Sequence, residues 1–171
     1  YTEARLNRRL PDGSAYVALG GAVNANYRPE VAVRAGAVFT LAGGLTATLD
    51  ASAARYGSGS VVSLQPGLAA SLFADRLNLS ARWINVRDET RRHRQGYALG
   101  GSYQVTDRLR VRAGFADAPE SSEGVTVDVR ARTVGLDIGV THRATVRVTA
   151  TSEDRGSYER EEVAVGLGWR F

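Results

Sequence analysis

Apolar and polar residues alternate along almost the whole of this chain. The clearest stretch is Leu109-Arg110-Val111-Arg112-Ala113-Gly114-Phe115, in which every second residue is apolar. Neighbouring side chains of an extended strand leave opposite faces of the backbone. Leu109, Val111, Ala113 and Phe115 therefore share one face, and Arg110, Arg112 and Gly114 the other. The same period runs through Val31 to Ala37, Ala144 to Thr149 and Val163 to Phe171. No stretch carries an apolar stripe at helical spacing, so an all-β chain is expected.

Turn residues cut the chain into about eleven such segments. One set of connections is tight: Pro11 to Ser14, Ala42 to Gly44, Ala74 to Arg76, Thr106 to Arg108 and Thr141 to Arg143. The interleaved set is longer or more polar: Asn26 to Glu30, Gly57 to Ser60, Arg87 to Gln95, Asp117 to Gly124 and Ser152 to Arg160. Strict alternation of short and long connections is the pattern of a bacterial outer-membrane barrel, with short turns in the periplasm and long loops outside. The expected fold is one antiparallel up-and-down transmembrane β-barrel domain over residues 1–171, with roughly ten to twelve strands. An open edge has no hydrogen-bond partner in lipid, so the ring must close. Bacterial single-chain barrels have even strand numbers. Twelve strands are expected if one lies upstream of Tyr1, and ten if residues 1–10 form none. The alternation also changes phase at Val125–Ala131 and around Trp83-Ile84, which either a β-bulge or an extension above the membrane would explain.

Composition narrows the function classes. The 22 basic residues are all arginine, and cysteine and methionine are absent. No disulfide or thiolate metal site can form. The net charge of +4 is spread along the chain without a nucleic-acid motif, which argues against a nucleic-acid partner. No apolar run approaches the roughly 20 residues of a spanning helix. The opening Tyr1-Thr2-Glu3-Ala4-Arg5 does not read as a signal peptide, so a trimmed or excised chain is expected. A mean hydropathy of −0.22 suits either a soluble chain or a barrel whose strands alternate a lipid face with a wet one.

The chain closes on Ala164-Val165-Gly166-Leu167-Gly168-Trp169-Arg170-Phe171. This ending resembles the terminal strand read by the insertion machinery of Gram-negative outer membranes. Gly166, Trp169 and Phe171 match that pattern, while Ala164 stands where a polar residue is expected. Trp169 and Phe171 would sit in an aromatic girdle at one interface. Further back, Arg94-Gln95-Gly96-Tyr97-Ala98-Leu99-Gly100-Gly101-Ser102-Tyr103, Asp117-Ala118-Pro119-Glu120 and Glu153-Asp154-Arg155-Gly156-Ser157-Tyr158 occur in that order. With Ala15 to Gly21, they resemble the YaiO-like family of outer-membrane β-barrels over some 150 residues. The resemblance implies an outer-membrane location and an association with surface-polysaccharide systems.

If the apolar face meets lipid, Arg5, Arg9, Arg34, Asp50, Arg82, Arg110, Arg112, Asp137, Arg147 and Arg170 point into the lumen. Glu3, Glu162 and several glycines join them. A charge facing lipid at mid-depth would cost roughly 2–4 kcal/mol. The inward charges either pair into a network that fills the bore or line a path for anions or acidic sugars. Arg87, Arg91, Arg92 and Arg94 form a basic outer-loop cluster that is either solvated or grips lipopolysaccharide phosphates. The acidic stretch Asp117 to Glu123 lacks ordered metal-ligand spacing.

Catalysis is not expected. The only histidines, His93 and His142, lie apart, and no serine–carboxylate spacing accompanies His93. They provide no zinc site, and no cofactor or metal is expected. Two functions remain: a narrow porin-like conduit linked to polysaccharide or anion passage, or a plugged structural barrel whose outer loops contact a surface layer, lipopolysaccharide or a partner. The expected partners are outer-membrane lipids including lipopolysaccharide, the barrel assembly machinery, and anionic polysaccharide or other envelope proteins.

Overall fold

A computed structural model describes residues 1–23 and 28–170. It contains eleven antiparallel strands in sequence order within one sheet. They are β1 (Thr2–Leu10), β2 (Gly13–Gly21), β3 (Val31–Thr40), β4 (Leu45–Tyr56), β5 (Gly59–Leu72) and β6 (Leu77–Arg87), followed by β7 (His93–Thr106), β8 (Leu109–Ser122), β9 (Val125–Gly139), β10 (Ala144–Asp154) and β11 (Glu159–Trp169). Among the described residues the one helical element is a 3-10 turn at Ala42–Gly44. The period-two reading therefore holds through the sheet. Because Thr2–Leu10 is a strand paired along its length with β2, the ten-strand alternative falls. No ladder joins β1 to β11 among the described residues, and β11 is exposed along its whole length.

The sheet is curled. Ser58, between β4 and β5, donates its hydroxyl to the carbonyl of Gly124, between β8 and β9, at 2.8 Å. At the usual strand spacing those two connections would stand about 19 Å apart in a flat sheet. Side chains also bridge alternate strands on one face: Arg34 of β3 to Glu3 of β1, and Tyr16 of β2 to Asp50 of β4. That face is the concave, inner one. Its opposite carries an exposed apolar band that includes Leu19, Leu49, Leu68, Leu99, Val134 and Leu167.

The expected alternation of loop lengths is only partly realised. At one end every connection is short: β1–β2, β3–β4, β5–β6, β7–β8 and β9–β10. At the other end, which we call the hairpin end, β4–β5 and β8–β9 turn on two residues each, Gly57-Ser58 and Glu123-Gly124. Asp117 to Ser122, expected in a loop, is strand, and β8 pairs with β9 without a break from Leu109↔Ile138 to Ser122↔Val125. The physical reason is local. Val125, Val127 and Val129 favour extended backbone, and pairing satisfies backbone groups that a loop would leave to water. Positive φ at both Glu123 (54°) and Gly124 (76°) supplies the hairpin turn whose twist matches the strands.

The phase changes also have an explanation. β9 shows no register shift against β8 or β10, so no bulge resets its faces. Its outer row reads Ile138, Leu136, Val134 and then Arg132, Arg130, Asp128, while Val129 is buried on the inner row. In β6 the apolar run of the outer row ends at Trp83 and gives way to Asn85 and Arg87, while Val86 is buried on the inner row. Trp83 pairs with Tyr97, which pairs with Asp117, which pairs with Arg130, so both changes occur at one level of the sheet. Beyond it, on β6 and β9, the outer row turns polar while the inner row carries the buried Val86 and Val129. Strands extended beyond an apolar band would change in this way. The small buried side chains Ala32, Val61, Val86, Ala118 and Val129 pack inside the hairpin end.

Candidate functional site

The charged inner face is the candidate site. Strand register puts Arg5 and Arg9 on it from β1, Arg34 from β3, Asp50 from β4 and Arg82 from β6. Arg110 and Arg112 follow from β8, Asp137 from β9 and Arg147 from β10. Arg170 follows β11, with its amide donating to the Arg143 carbonyl at 2.9 Å. These residues fall into two separated groups.

The first group spans β1 to β6. Arg34 pairs with Glu3 and also donates to the Tyr1 hydroxyl at 3.4 Å. The Arg5 guanidinium lies 3.8 Å from the centre of the Tyr16 ring, and the Tyr16 hydroxyl donates to Asp50 at 3.0 Å. A cation over an aromatic face is attracted by the ring quadrupole, so Tyr16 links the Arg5 charge to the Asp50 carboxylate. Arg82 completes the chain, 4.0 Å from Asp50 and donating to the side-chain amide oxygen of Gln65 at 3.5 Å. Gly36 makes the arrangement possible, since a Cβ there would stand 2.3 Å from the Tyr16 ring.

The second group spans β7 to β11. Asp137 Oδ1 accepts from Arg112 at 2.9 Å and from Arg147 at 2.8 Å. Arg110 donates through Nε to Gln104 at 2.8 Å. Between the groups lies a cavity of about 490 Å³ whose walls include Ser80, Gly100, Gly114, Thr133, Gly135 and Thr149. Small side chains at these positions keep that stretch of the inner face open.

The basic outer-loop cluster is divided by the fold. Arg91 and Arg92 lie in the β6–β7 loop, Arg87 ends β6, and Arg94 belongs to β7. Arg94 is held by Asp88 at 2.8 Å and by Asp128 at 3.0 Å. Sequence reasoning missed Asp88, which is fully buried. Its other oxygen accepts from the Thr90 amide at 3.0 Å, the Thr90 hydroxyl at 2.7 Å and the Arg92 amide at 2.8 Å. The side-chain bonds from Arg94 and Thr90 hold its carboxyl well below the usual aspartate range against the opposing effect of burial. The Asp88-Glu89-Thr90 triplet was the available signal, because aspartate commonly caps its own turn two residues on. Glu89 also has a lowered pKa. Burial raises it, but bonds from its own amide and from Thr126 prevail. The acidic stretch is likewise paired: Asp117 to Arg130 at 2.9 Å, and Glu120 to Arg155 at 2.9 Å.

Gly166 and Trp169 lie on β11, where Arg147↔Gly166 and Ala144↔Trp169 are partners; Phe171 lies outside the described residues. His93 begins β7, and His142 lies in the β9–β10 turn. Among the described residues no group of three histidine or acidic side chains is arranged to hold a metal.

No family model matches the chain, and no curated protein does. A solved structure, the outer-membrane expressed OmpT of Vibrio cholerae, is similar at 11% identity with a TM-score of 0.71. The match covers 98% of this chain and 64% of that one, so the chain spans less than two thirds of the neighbour's length. At that identity the likeness is one of fold: this is the fold of an outer-membrane β-barrel. It also corrects the expectation that the chain is not an enzyme. That exclusion rested on sequence spacing, and the fold shared with OmpT gives no ground for setting catalysis aside, because a fold does not decide between enzyme and pore. The exclusion is withdrawn.

Proposed function

We propose that this barrel is a narrow conduit of the Gram-negative outer membrane, with its inner arginines lining a path for anions or acidic polysaccharide. The observation that carries this reading is the surplus of guanidinium over carboxylate on the inner face between β7 and β11. Asp137 there serves both Arg112 and Arg147, while Arg110 has only the neutral Gln104. In a confined bore such charges act more strongly than in bulk water. The YaiO-like resemblance supports a link to surface polysaccharide. In this reading the short turns face the periplasm, the hairpin end faces outward, and Arg87, Arg91 and Arg92 meet lipopolysaccharide phosphates. The barrel assembly machinery would read Gly166, Trp169 and Phe171.

A second reading is a sealed barrel that acts through its outer end. It is favoured by the contact between Ser58 and Gly124, which draws two turns together, and by the bond that ties Glu89 of the β6–β7 loop to Thr126 of β9. Planar-bilayer recordings decide between the two. A conduit gives current steps that prefer chloride over potassium, and Arg110→Glu with Arg112→Glu weakens or reverses the preference. The absence of steps at every voltage favours the sealed barrel, and cation selectivity in the unmodified protein overturns the anion path.

A further inference from the structure

The short-turn end of the inner face holds a second cavity, of about 450 Å³, whose lining brings Arg108, Arg110, Arg147 and Arg170 together with Asp107 and Asp137. Its charge is not balanced as it is elsewhere. Towards the hairpin end Arg34, Arg94 and Arg155 each meet a carboxylate. Around the second cavity Asp137 is already shared by Arg112 and Arg147, and Arg108, Arg110 and Arg170 form no ion pair among the described residues.

The positions are also prepared. In the ladders of the sheet a register shift occurs between Gln104 and Thr106, where β7 meets β8. A bulge re-aims a side chain that regular pairing would leave in its row. Here it accompanies a clamped Gln104, whose amide nitrogen donates to the Thr106 carbonyl at 2.7 Å while its oxygen accepts from Arg110 Nε at 2.8 Å. Arg110 is thereby held through Nε, leaving its two terminal nitrogens for an incoming acceptor. Gly139 and Gly168 line the same cavity, so no side chain fills that part of it.

We propose that this cavity is an oxyanion-binding site, taking a phosphate or carboxylate group against Arg108, Arg110 and Arg170. A planar guanidinium presents paired N–H groups that match the two oxygens of such a ligand, and pre-fixing Arg110 lowers the entropy lost on binding. The site rests on the inner-face assignment of the conduit reading and refines it, because anions would be held at the short-turn mouth rather than along the whole bore.

Calorimetric titration of the refolded protein in detergent tests the site, with inorganic pyrophosphate and galacturonate as separate probes at low salt. Saturable binding of either is expected, and the probe that binds identifies the phosphate or the carboxylate as the preferred group. Arg108→Gln with Arg110→Gln should weaken binding about tenfold or more, the loss expected for charged hydrogen bonds. Arg76→Gln, at the same end but outside the cavity, should leave it unchanged. Gln104→Ala keeps every arginine and should still weaken binding, which separates loss of the site from a folding defect. No saturable binding of either probe, or equal binding by the double variant, overturns the site. A protein that binds but passes no current keeps the site and ends the conduit reading, whereas one that conducts without binding ends the site alone.

Discussion

Thr126 belongs by register to the outer row of β9, yet it is buried and holds Glu89 of the β6–β7 loop, its amide donating at 3.2 Å and its hydroxyl at 2.8 Å. The same row carries Val134 and Leu136 further down the strand. Strands twist as they extend, so the end of a long ribbon presents its outer row to a neighbour rather than to the surroundings. The β8–β9 hairpin thus ties down the β6–β7 loop without any change of register.

Replacing Thr126 with valine keeps the shape of the side chain and removes the hydroxyl. Part-buried Glu89 then loses a partner, and the expected cost is about 1–3 kcal/mol in urea unfolding. Proteolysis within Asp88 to Arg92 should accelerate in the folded protein. An unchanged cleavage rate there would mean that the bond does not restrain the loop.

Asp88 makes stability depend on pH in a defined direction. Its folded carboxyl lies below the ordinary aspartate range, so its contribution is fully present above that range. The contribution is lost progressively as pH falls from that range to the lower folded value. Asp88→Asn should therefore lower the urea midpoint by a constant amount above about pH 5, with the gap to the unmodified protein narrowing in more acidic solution. A gap that widens on acidification would contradict the depressed pKa.

The β5–β6 turn stores backbone strain. Phe73, Ala74 and Asp75 all have positive φ, at 54°, 53° and 65°. Each non-glycine residue in this region costs roughly 1–2 kcal/mol, whereas glycine adopts it freely but is more flexible when unfolded. Ala74→Gly should be neutral to stabilising, by up to about 1 kcal/mol. Ala69→Gly, inside β5, should destabilise by roughly 0.5–1 kcal/mol. Urea midpoints of the two variants moving in the same downward direction would refute the strained turn.

Much of this protein was legible in its sequence because the side-chain period of a strand is local. Alternation alone separated Leu109, Val111 and Phe115 from Arg110 and Arg112, and assigned the inner arginines a common face. The tight turns at Asp12, Gly43 and Asp107 were legible for the same reason, since turn residues act within a few positions of themselves. Partners were not legible. Asp137 pairs with Arg112 and Arg147 because three adjacent strands set their register, and Tyr16 reaches Asp50 because the sheet curls. Nor could sequence tell that Asp117 to Ser122 is strand: its polar residues read as a loop until Arg130 and Arg155 are brought beside Asp117 and Glu120. A residue's face follows from its own neighbours in the chain. The charge that it meets across the inner face is set by distant strands, and only their assembly decided it.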